Sequence, residues 1–97
     1  MIRIVKLSFA AEHVEKFKTL FEERKLLIRN FEGCTYLELW QDKSETGVFY
    51  TYSIWNDESN LETYRVSDLF QETWSQVKQW FSNPPQAFSA DKIISVS

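Results

Sequence analysis

The side chains with the most distinctive chemistry in this sequence are its single histidine and its single cysteine. His13 is a candidate general base because imidazole titrates near neutral pH. It lies near the start of a predicted helix, beside Glu12 and Glu15, and we expect it at the surface. Cys34 has no cation close to it in the sequence that would stabilise a thiolate, so we expect it to behave as a small buried hydrophobe.

The same residue types exclude several kinds of site. One cysteine allows no internal disulfide, which fits a reducing compartment, and we expect a cytoplasmic protein. One cysteine and one histidine without motif spacing do not make a zinc site, so we expect no metal. Helix capping and the helix dipole account for the acids Asp57, Glu58 and Glu62, which lie at a predicted helix start. No phosphate loop, nucleophile elbow or paired-carboxylate motif is present.

Aromatic residues are abundant: eight Phe, four Trp and four Tyr make up 16% of the 97 residues. A chain of this length buries only roughly 60–65% of its unfolded surface, and one small core does not hide so many rings. We therefore expect some of them to cover a second surface, either a partner subunit or a ligand cavity. The net charge of −3 and the lack of a basic stripe argue against nucleic acid binding. No run approaches the about 20 apolar residues that cross a membrane.

Period-two alternation predicts four strands. The first contains Val5, Leu7 and Phe9, and its N-terminal residues are apolar on the opposite face as well. The second and third strands are predicted over residues 34–41 and 48–55, with a polar hairpin loop between them. The last strand is predicted over residues 87–96, where Ile93, Ile94 and Val96 give the clearest signal.

Three- to four-residue spacing of apolar side chains predicts the helices. A long helix follows the first strand and is expected to end at Gly33. Asn56-Asp57 is the predicted cap of a short helix that holds Leu61 and Tyr64. Ser67-Asp68 is a second predicted cap, and the helix that it opens is expected to stop at residues 83–85, Asn-Pro-Pro.

The predicted order of elements is β-α-β-β-α-α-β, which is a ferredoxin-like split βαβ arrangement over residues 1–97 as one domain. Right-handed crossovers place the helices on one face of a four-stranded antiparallel sheet. The other face is then bare although its residues are apolar, among them Val5, Leu7 and Phe9 if the first strand is phased that way. We expect a second copy of the chain to cover that face in a homodimer.

Three landmarks occur in a recognisable order. Residues 31–34 read Phe-Glu-Gly-Cys, residues 52–57 read Tyr-Ser-Ile-Trp-Asn-Asp, and Leu61, Tyr64, Ser67 and Phe70 follow at three-residue spacing. Together they resemble the antibiotic biosynthesis monooxygenase family. The resemblance spans nearly the whole chain.

This resemblance implies a dimeric α+β barrel and oxidation of phenols, quinols or polycyclic aromatics by molecular oxygen without metal or flavin. Other members of the family degrade haem, and several have no established activity. Tyr64 stands where a histidine is common in the family, and Ile4, Tyr64 and Trp74 stand at the three positions that the haem-degrading branch uses. The histidine that ligates the haem iron in that branch aligns with Trp74. Because this chain lacks that ligand, we expect no haem degradation.

The family pocket lies between the helices and the sheet, and five aromatic residues of this chain are its candidate lining. By this resemblance Tyr64 and Trp74 are the candidate catalytic residues, which position a substrate oxygen by hydrogen bonds. Tyr36, Trp55 and Phe70 are the candidate substrate-binding residues. The alternative interpretation is that these rings only fill the core.

Two hypotheses remain open from the sequence. The first is a cofactor-independent monooxygenase that acts on a phenolic, quinol or polycyclic aromatic small molecule. The second is a non-catalytic dimeric module that binds a small ligand or only assembles. A pocket with an opening and convergent polar groups favours the first hypothesis, whereas a space filled by Trp74 and Phe81 favours the second.

Overall fold

A computed structural model describes all 97 residues, which form a four-stranded antiparallel sheet with its helices on one face. The strands are β1 (Ile2–Phe9), β2 (Cys34–Gln41), β3 (Val48–Trp55) and β4 (Phe81–Ala90), and the α-helices are α1 (Val14–Arg29), α2 (Glu58–Arg65) and α3 (Asp68–Val77). Short 3₁₀ turns precede α1 and follow α3. The order in the sheet is β2-β3-β1-β4, so β1 is central and β2 and β4 are the edges. The predicted ferredoxin-like split βαβ fold is confirmed.

The main core lies between the sheet and the helices. Its composition shows that the predicted phase of β1 is wrong. Leu7 and Phe9 are buried there against Phe17 and Leu20 of α1, so Val5, Leu7 and Phe9 face the helices and not the bare face. The residues on the open side of β1 are Ile2 and Ile4, with Lys6 and Ser8. Both faces of this strand begin with apolar residues, and periodicity alone therefore could not decide which one meets the helices.

The first helix ends earlier than its apolar pattern suggests. Arg29 is its last residue, and Gly33 lies in the following turn with a φ of +88°, which favours glycine. A Cβ atom at Gly33 would lie 2.3 Å from the side chain of Asn60 in α2. The Gly33 carbonyl also accepts a hydrogen bond from the Asn56 amide at 2.8 Å. Gly33 therefore permits the close approach between this turn and the start of α2.

The last strand begins earlier than predicted. It starts at Phe81, directly after a 3₁₀ turn, and residues 91–97 have no regular secondary structure. Ile93, Ile94 and Val96, which marked the predicted strand, are 78–89% exposed. Proline is tolerated on an edge strand, where only one side of the backbone must pair, and register irregularities interrupt the β1–β4 pairing near the proline pair. For this reason the Asn-Pro-Pro sequence lies inside β4 and not beyond a helix end.

Both predicted helix caps are confirmed, and the capping residue is Asp57 in the first pair and Ser67 in the second. The Asp57 side chain accepts a hydrogen bond from the Glu58 amide at 2.8 Å. The Ser67 hydroxyl accepts one from the Phe70 amide at 3.2 Å and donates one to the Tyr64 carbonyl. Ser67 thereby fixes the corner between α2 and α3 by bonding to both helices.

We predict that Ser67→Ala lowers the free energy of unfolding by about 1 kcal/mol, because it removes the α3 cap and a bond to the end of α2. Urea unfolding followed by circular dichroism measures the change. Ser75→Ala is the matched control, since the Ser75 hydroxyl bonds only to the Glu72 carbonyl within the helix, and we expect a change within about 0.5 kcal/mol. Equal effects of the two substitutions would contradict the capping role.

Candidate functional site: an aromatic cavity with a cationic end

A cavity of about 350 Å³ lies between the inner face of the sheet and helices α1, α2 and α3. Its volume is within the range of small-molecule sites, and most of the residues around it are apolar. Val5 and Leu37 contribute from the sheet, Phe21 and Ile28 from α1, and the residues of α2 and α3 close the opposite side. The predicted position of a pocket between the helical layer and the sheet agrees with this cavity.

Trp55 forms a fixed wall of the cavity. It is 1% exposed, and its indole N–H donates a hydrogen bond to the Ser53 hydroxyl at 3.0 Å. The backbone of Trp55 also forms hydrogen bonds with Met1, which directly precedes β1. Its indole N–H is therefore engaged within the protein, and its ring contributes shape and apolar surface to the cavity.

Four of the five predicted lining residues form one continuous row of rings. The centroid of Trp55 lies 5.2 Å from that of Tyr64, Tyr64 lies 5.3 Å from Phe70, and Phe70 lies 5.6 Å from Trp74. The last pair is stacked with 11° between the ring planes. All four residues line the cavity, which gives it a surface suited to a flat ligand.

Tyr36, the fifth predicted lining residue, lies elsewhere. It is 43% exposed on the opposite face of the sheet, where its hydroxyl donates to the Glu38 carboxylate, and it is not part of the cavity wall. Ile4 is also on that face, opposite Tyr52 of β3. Side chains of adjacent residues in a strand point to opposite faces, and Leu37 is the β2 residue that reaches the cavity.

The Tyr64 hydroxyl is held in its neutral form. Burial raises the pKa of Tyr64 well above its ordinary value, and the proximity of Cys34 adds to the shift. A phenol that stays protonated near neutral pH can donate a hydrogen bond to an anionic oxygen. Thr73 supplies a second polar atom, because its hydroxyl oxygen is buried without a hydrogen-bond partner in the same wall.

Two arginines complete the site, and sequence reasoning missed both. Arg3 reaches the cavity from β1 and Arg65 from the last residue of α2. The predicted phase of β1 placed the face that carries Val5 away from the helices, and Arg3 lies on that same face. In the structure Arg3 pairs with Ser53, two residues before the buried Trp55, and this register places Arg3 on the inner face of the sheet.

The two residues with the most distinctive chemistry lie outside this cavity wall. His13 stacks near Trp80, with ring centroids 6.4 Å apart, and its side chain is 25% exposed. Cys34 is buried, its thiol donates to the Tyr36 carbonyl at 3.6 Å, and burial raises its pKa, as expected for a small hydrophobe.

No three His, Cys, Asp or Glu side chains are grouped so that they could hold a metal ion. None of the helices is long and apolar enough to cross a membrane.

The family is settled by sequence. A family model described as antibiotic biosynthesis monooxygenase matches residues 1–75, and the chain belongs to this family. No curated protein matches the sequence.

Solved structures agree with the fold. The crystal structure of an antibiotic biosynthesis monooxygenase superposes with a TM-score of 0.88 at 16% identity, covering 97% of this chain and 100% of the other. A protein from Mycobacterium tuberculosis has a TM-score of 0.88 at 14% identity, with coverage of 99% and 97%. A conserved protein from Methanosarcina mazei Go1 has a TM-score of 0.84 at 23% identity, with coverage of 90% and 87%. At these identities the structures support the fold alone.

We predict that the raised pKa of Tyr64 makes the fold less stable in alkali. Since the folded-state pKa lies above that of the unfolded chain, Tyr64 favours folding below pH about 10, and this contribution is lost as the pH rises further. One such group changes the free energy of unfolding by at most about 1.4 kcal/mol per pH unit. Unfolding by urea between pH 9 and pH 11 should show a steeper decline for the wild type than for Tyr64→Phe. Parallel declines would contradict the prediction.

Proposed function

We propose that this protein is a cofactor-independent monooxygenase that oxidises a small phenolic, quinol or polycyclic aromatic compound in the cavity described above. The observation that carries the proposal is the row of four aromatic rings, which lines an apolar cavity together with a protonated Tyr64 and two arginines. Flat aromatic substrates pack well against such rings, and family membership supports oxygen chemistry. Tyr64 and Trp74 are proposed as catalytic residues, and Trp55 and Phe70 as substrate-binding residues.

The charges around the cavity favour a substrate that binds as its phenolate. No Asp, Glu or His lines the cavity, so the wall offers no carboxylate or imidazole as general base. Arg3 and Arg65 instead provide a positive potential that stabilises the anionic substrate. The Tyr64 hydroxyl and the Trp74 indole N–H then donate hydrogen bonds to the phenolate oxygen, and the apolar wall excludes water.

The proposed reaction consumes one molecule of oxygen for each substrate molecule. The phenolate gives one electron to oxygen, and recombination of the two radicals forms a carbon–oxygen bond at the ring position para to the phenolate oxygen. At a para carbon that carries hydrogen, this hydrogen passes as a proton to the terminal peroxide oxygen, and cleavage of the oxygen–oxygen bond releases hydroxide and leaves a quinone. The proton that the phenol lost on ionisation converts the hydroxide to one water. The substrate supplies all the electrons, and the protein contributes binding, orientation and charge stabilisation.

Oxygen uptake tests this proposal directly. The purified protein is offered a panel of quinols and polycyclic phenols in flavin-free buffer with a chelator, and spontaneous autoxidation is subtracted. We expect uptake that saturates with substrate and falls at least tenfold in Trp74→Phe, because the substitution removes the indole N–H at the cavity wall. Trp80→Phe is the matched control, since Trp80 lies outside the cavity wall, and its uptake should stay within about twofold of wild type.

One observation favours a second function, a non-catalytic module that binds a small ligand in the same cavity. The cavity wall lacks the carboxylates and imidazoles with which most enzymes move protons. Saturable binding of a panel compound without oxygen uptake, measured by titration calorimetry, would favour this alternative. Uptake that depends on Trp74 would exclude it.

The open face of the sheet supports the proposal that the active form is a homodimer. Large side chains cover this face: Ile4 lies beside Tyr52, and Trp40 stacks on Tyr52 with ring centroids 5.1 Å apart. Trp40 is 41% and Phe88 is 53% exposed. Covering so much apolar surface with the same face of a second copy removes it from water and gives a symmetric interface.

A charge placed on this face should separate the subunits. We predict that Ile4→Asp shifts the sedimentation mass from dimer to monomer at micromolar concentration, because an unpaired carboxylate is costly to bury. Leu26→Asp is the matched control, since Leu26 is 66% exposed on α1, and the dimer should persist. A wild-type protein that sediments as a monomer would refute the proposed dimer.

Two further parts of the proposal concern the whole chain. All 97 residues act as one domain, which is supported by the pairing of β4 with β1 at opposite ends of the sequence. The protein works in the cytoplasm, which is supported by its single cysteine, buried and without a disulfide partner.

A further inference from the structure

The cavity has a distinct charge distribution. Arg3 and Arg65 are the only charged residues in its wall, and both are positive. The other lining residues are apolar or neutral, with Ser53, Thr51, Thr73 and Tyr64 as the polar ones. The site therefore combines an apolar body with a cationic part, which is the arrangement that recognises an amphipathic anion.

Neither arginine is fully neutralised by the protein. Arg3 donates a hydrogen bond to the Ser89 hydroxyl at 3.1 Å and has no carboxylate within ion-pair distance. Arg65 contacts the Glu62 carboxylate at 3.3 Å, but that side chain is 57% exposed and does not line the cavity. An ion pair with so much exposure is weak in water, so Arg65 retains donors for a ligand.

The two cations also act on each other. Burial lowers the pKa of Arg3, and the nearby positive charge of Arg65 lowers it further, whereas Glu62 partly offsets both effects. Repulsion between the two positive charges raises the free energy of the ligand-free site. An anion bound between the two guanidinium groups offsets this repulsion. The Ser89 contact meanwhile restrains the Arg3 guanidinium, which reduces the entropy lost when a ligand binds.

We infer that the cavity takes an aromatic carboxylic acid, with its carboxylate bound by Arg3 and Arg65 and its ring system against the row of aromatic residues. A guanidinium presents paired N–H donors in a plane, and the two oxygens of a carboxylate match that geometry. The cavity volume of about 350 Å³ suits a compound of two or three fused rings. This inference rests on the proposed function for the identity of the site, and it narrows the substrate to phenols that also carry a carboxylate.

Calorimetric titration of the full chain tests the inference with two ligands of the same shape. 1-Naphthoate carries the carboxylate, and 1-naphthamide replaces it with a neutral group. At low ionic strength we expect the acid to bind at least tenfold more tightly than the amide, with a preference that shrinks as salt is added.

Arginine substitutions then assign the preference to the cationic part of the site. Arg65→Gln should weaken binding of 1-naphthoate about tenfold and leave binding of 1-naphthamide within about twofold. Arg3→Gln should act in the same direction, and it provides a second variant on a different element. Arg24→Gln is the matched control, because Arg24 pairs with Glu72 on the helical layer and does not line the cavity; it should change neither affinity.

The outcomes separate this inference from the proposed function. Equal affinities for acid and amide, a preference that survives both cavity substitutions, or no saturable binding of either ligand would overturn the inference. Neutral phenols can still drive Trp74-dependent oxygen uptake in those cases, which would leave the proposed function standing. Conversely, an arginine-dependent preference for the acid without oxygen uptake from any panel compound, hydroxynaphthoates included, would support the inference and count against the monooxygenase.

Discussion

The fold depends on one sheet whose two faces are both rich in large apolar side chains, although helices cover only one of them. The central strand shows the constraint most clearly, because Leu7 and Phe9 are buried under α1 while Ile2 and Ile4 lie on the other side. A chain of 97 residues forms only one small core, and burial of the inner face supplies its hydrophobic stabilisation. The outer face remains apolar, and Glu38 is accommodated there because Tyr36 and Trp40 donate hydrogen bonds to its two oxygens, which lowers its pKa.

The cavity follows from the way in which the helical layer is divided. A single long helix, α1, covers one part of the sheet, whereas α2 and α3 meet at a corner fixed by Ser67. The corner brings Tyr64 and Phe70 into contact, and the row of rings continues to Trp55 on the sheet side and to Trp74 along α3. These rings border an open space and do not fill it, since their contacts run along the wall. The same residues therefore serve as core and as binding surface.

Electrostatics makes this apolar cavity favour an anionic ligand. Desolvation keeps the Tyr64 phenol protonated, and the arginines of β1 and α2 contribute the only formal charges in the wall. A charge at the edge of an apolar cavity acts more strongly on a ligand inside the cavity than it does across bulk water. The chemistry proposed for this family member thus depends on how its residues stabilise negative charge, in the absence of a histidine or carboxylate from the cavity wall.

The sequence by itself determined the order of elements and both helix caps, and four of the five aromatic residues that it predicts for a pocket lie in the cavity wall. These features depend on local periodicity, on capping side chains and on landmarks of the family, all of which are short-range signals. Only the tertiary structure decided the phase of β1, the early start of β4 and the exclusion of Tyr36 from the cavity. Each depends on which sheet face meets the helices or on an edge position that tolerates Pro84 and Pro85, and a strand with apolar residues on both faces does not encode that choice. The tertiary structure also decided that Arg3 and Arg65 line one cavity. These residues are 62 positions apart, and they share a site only because β1 and α2 both border the cavity.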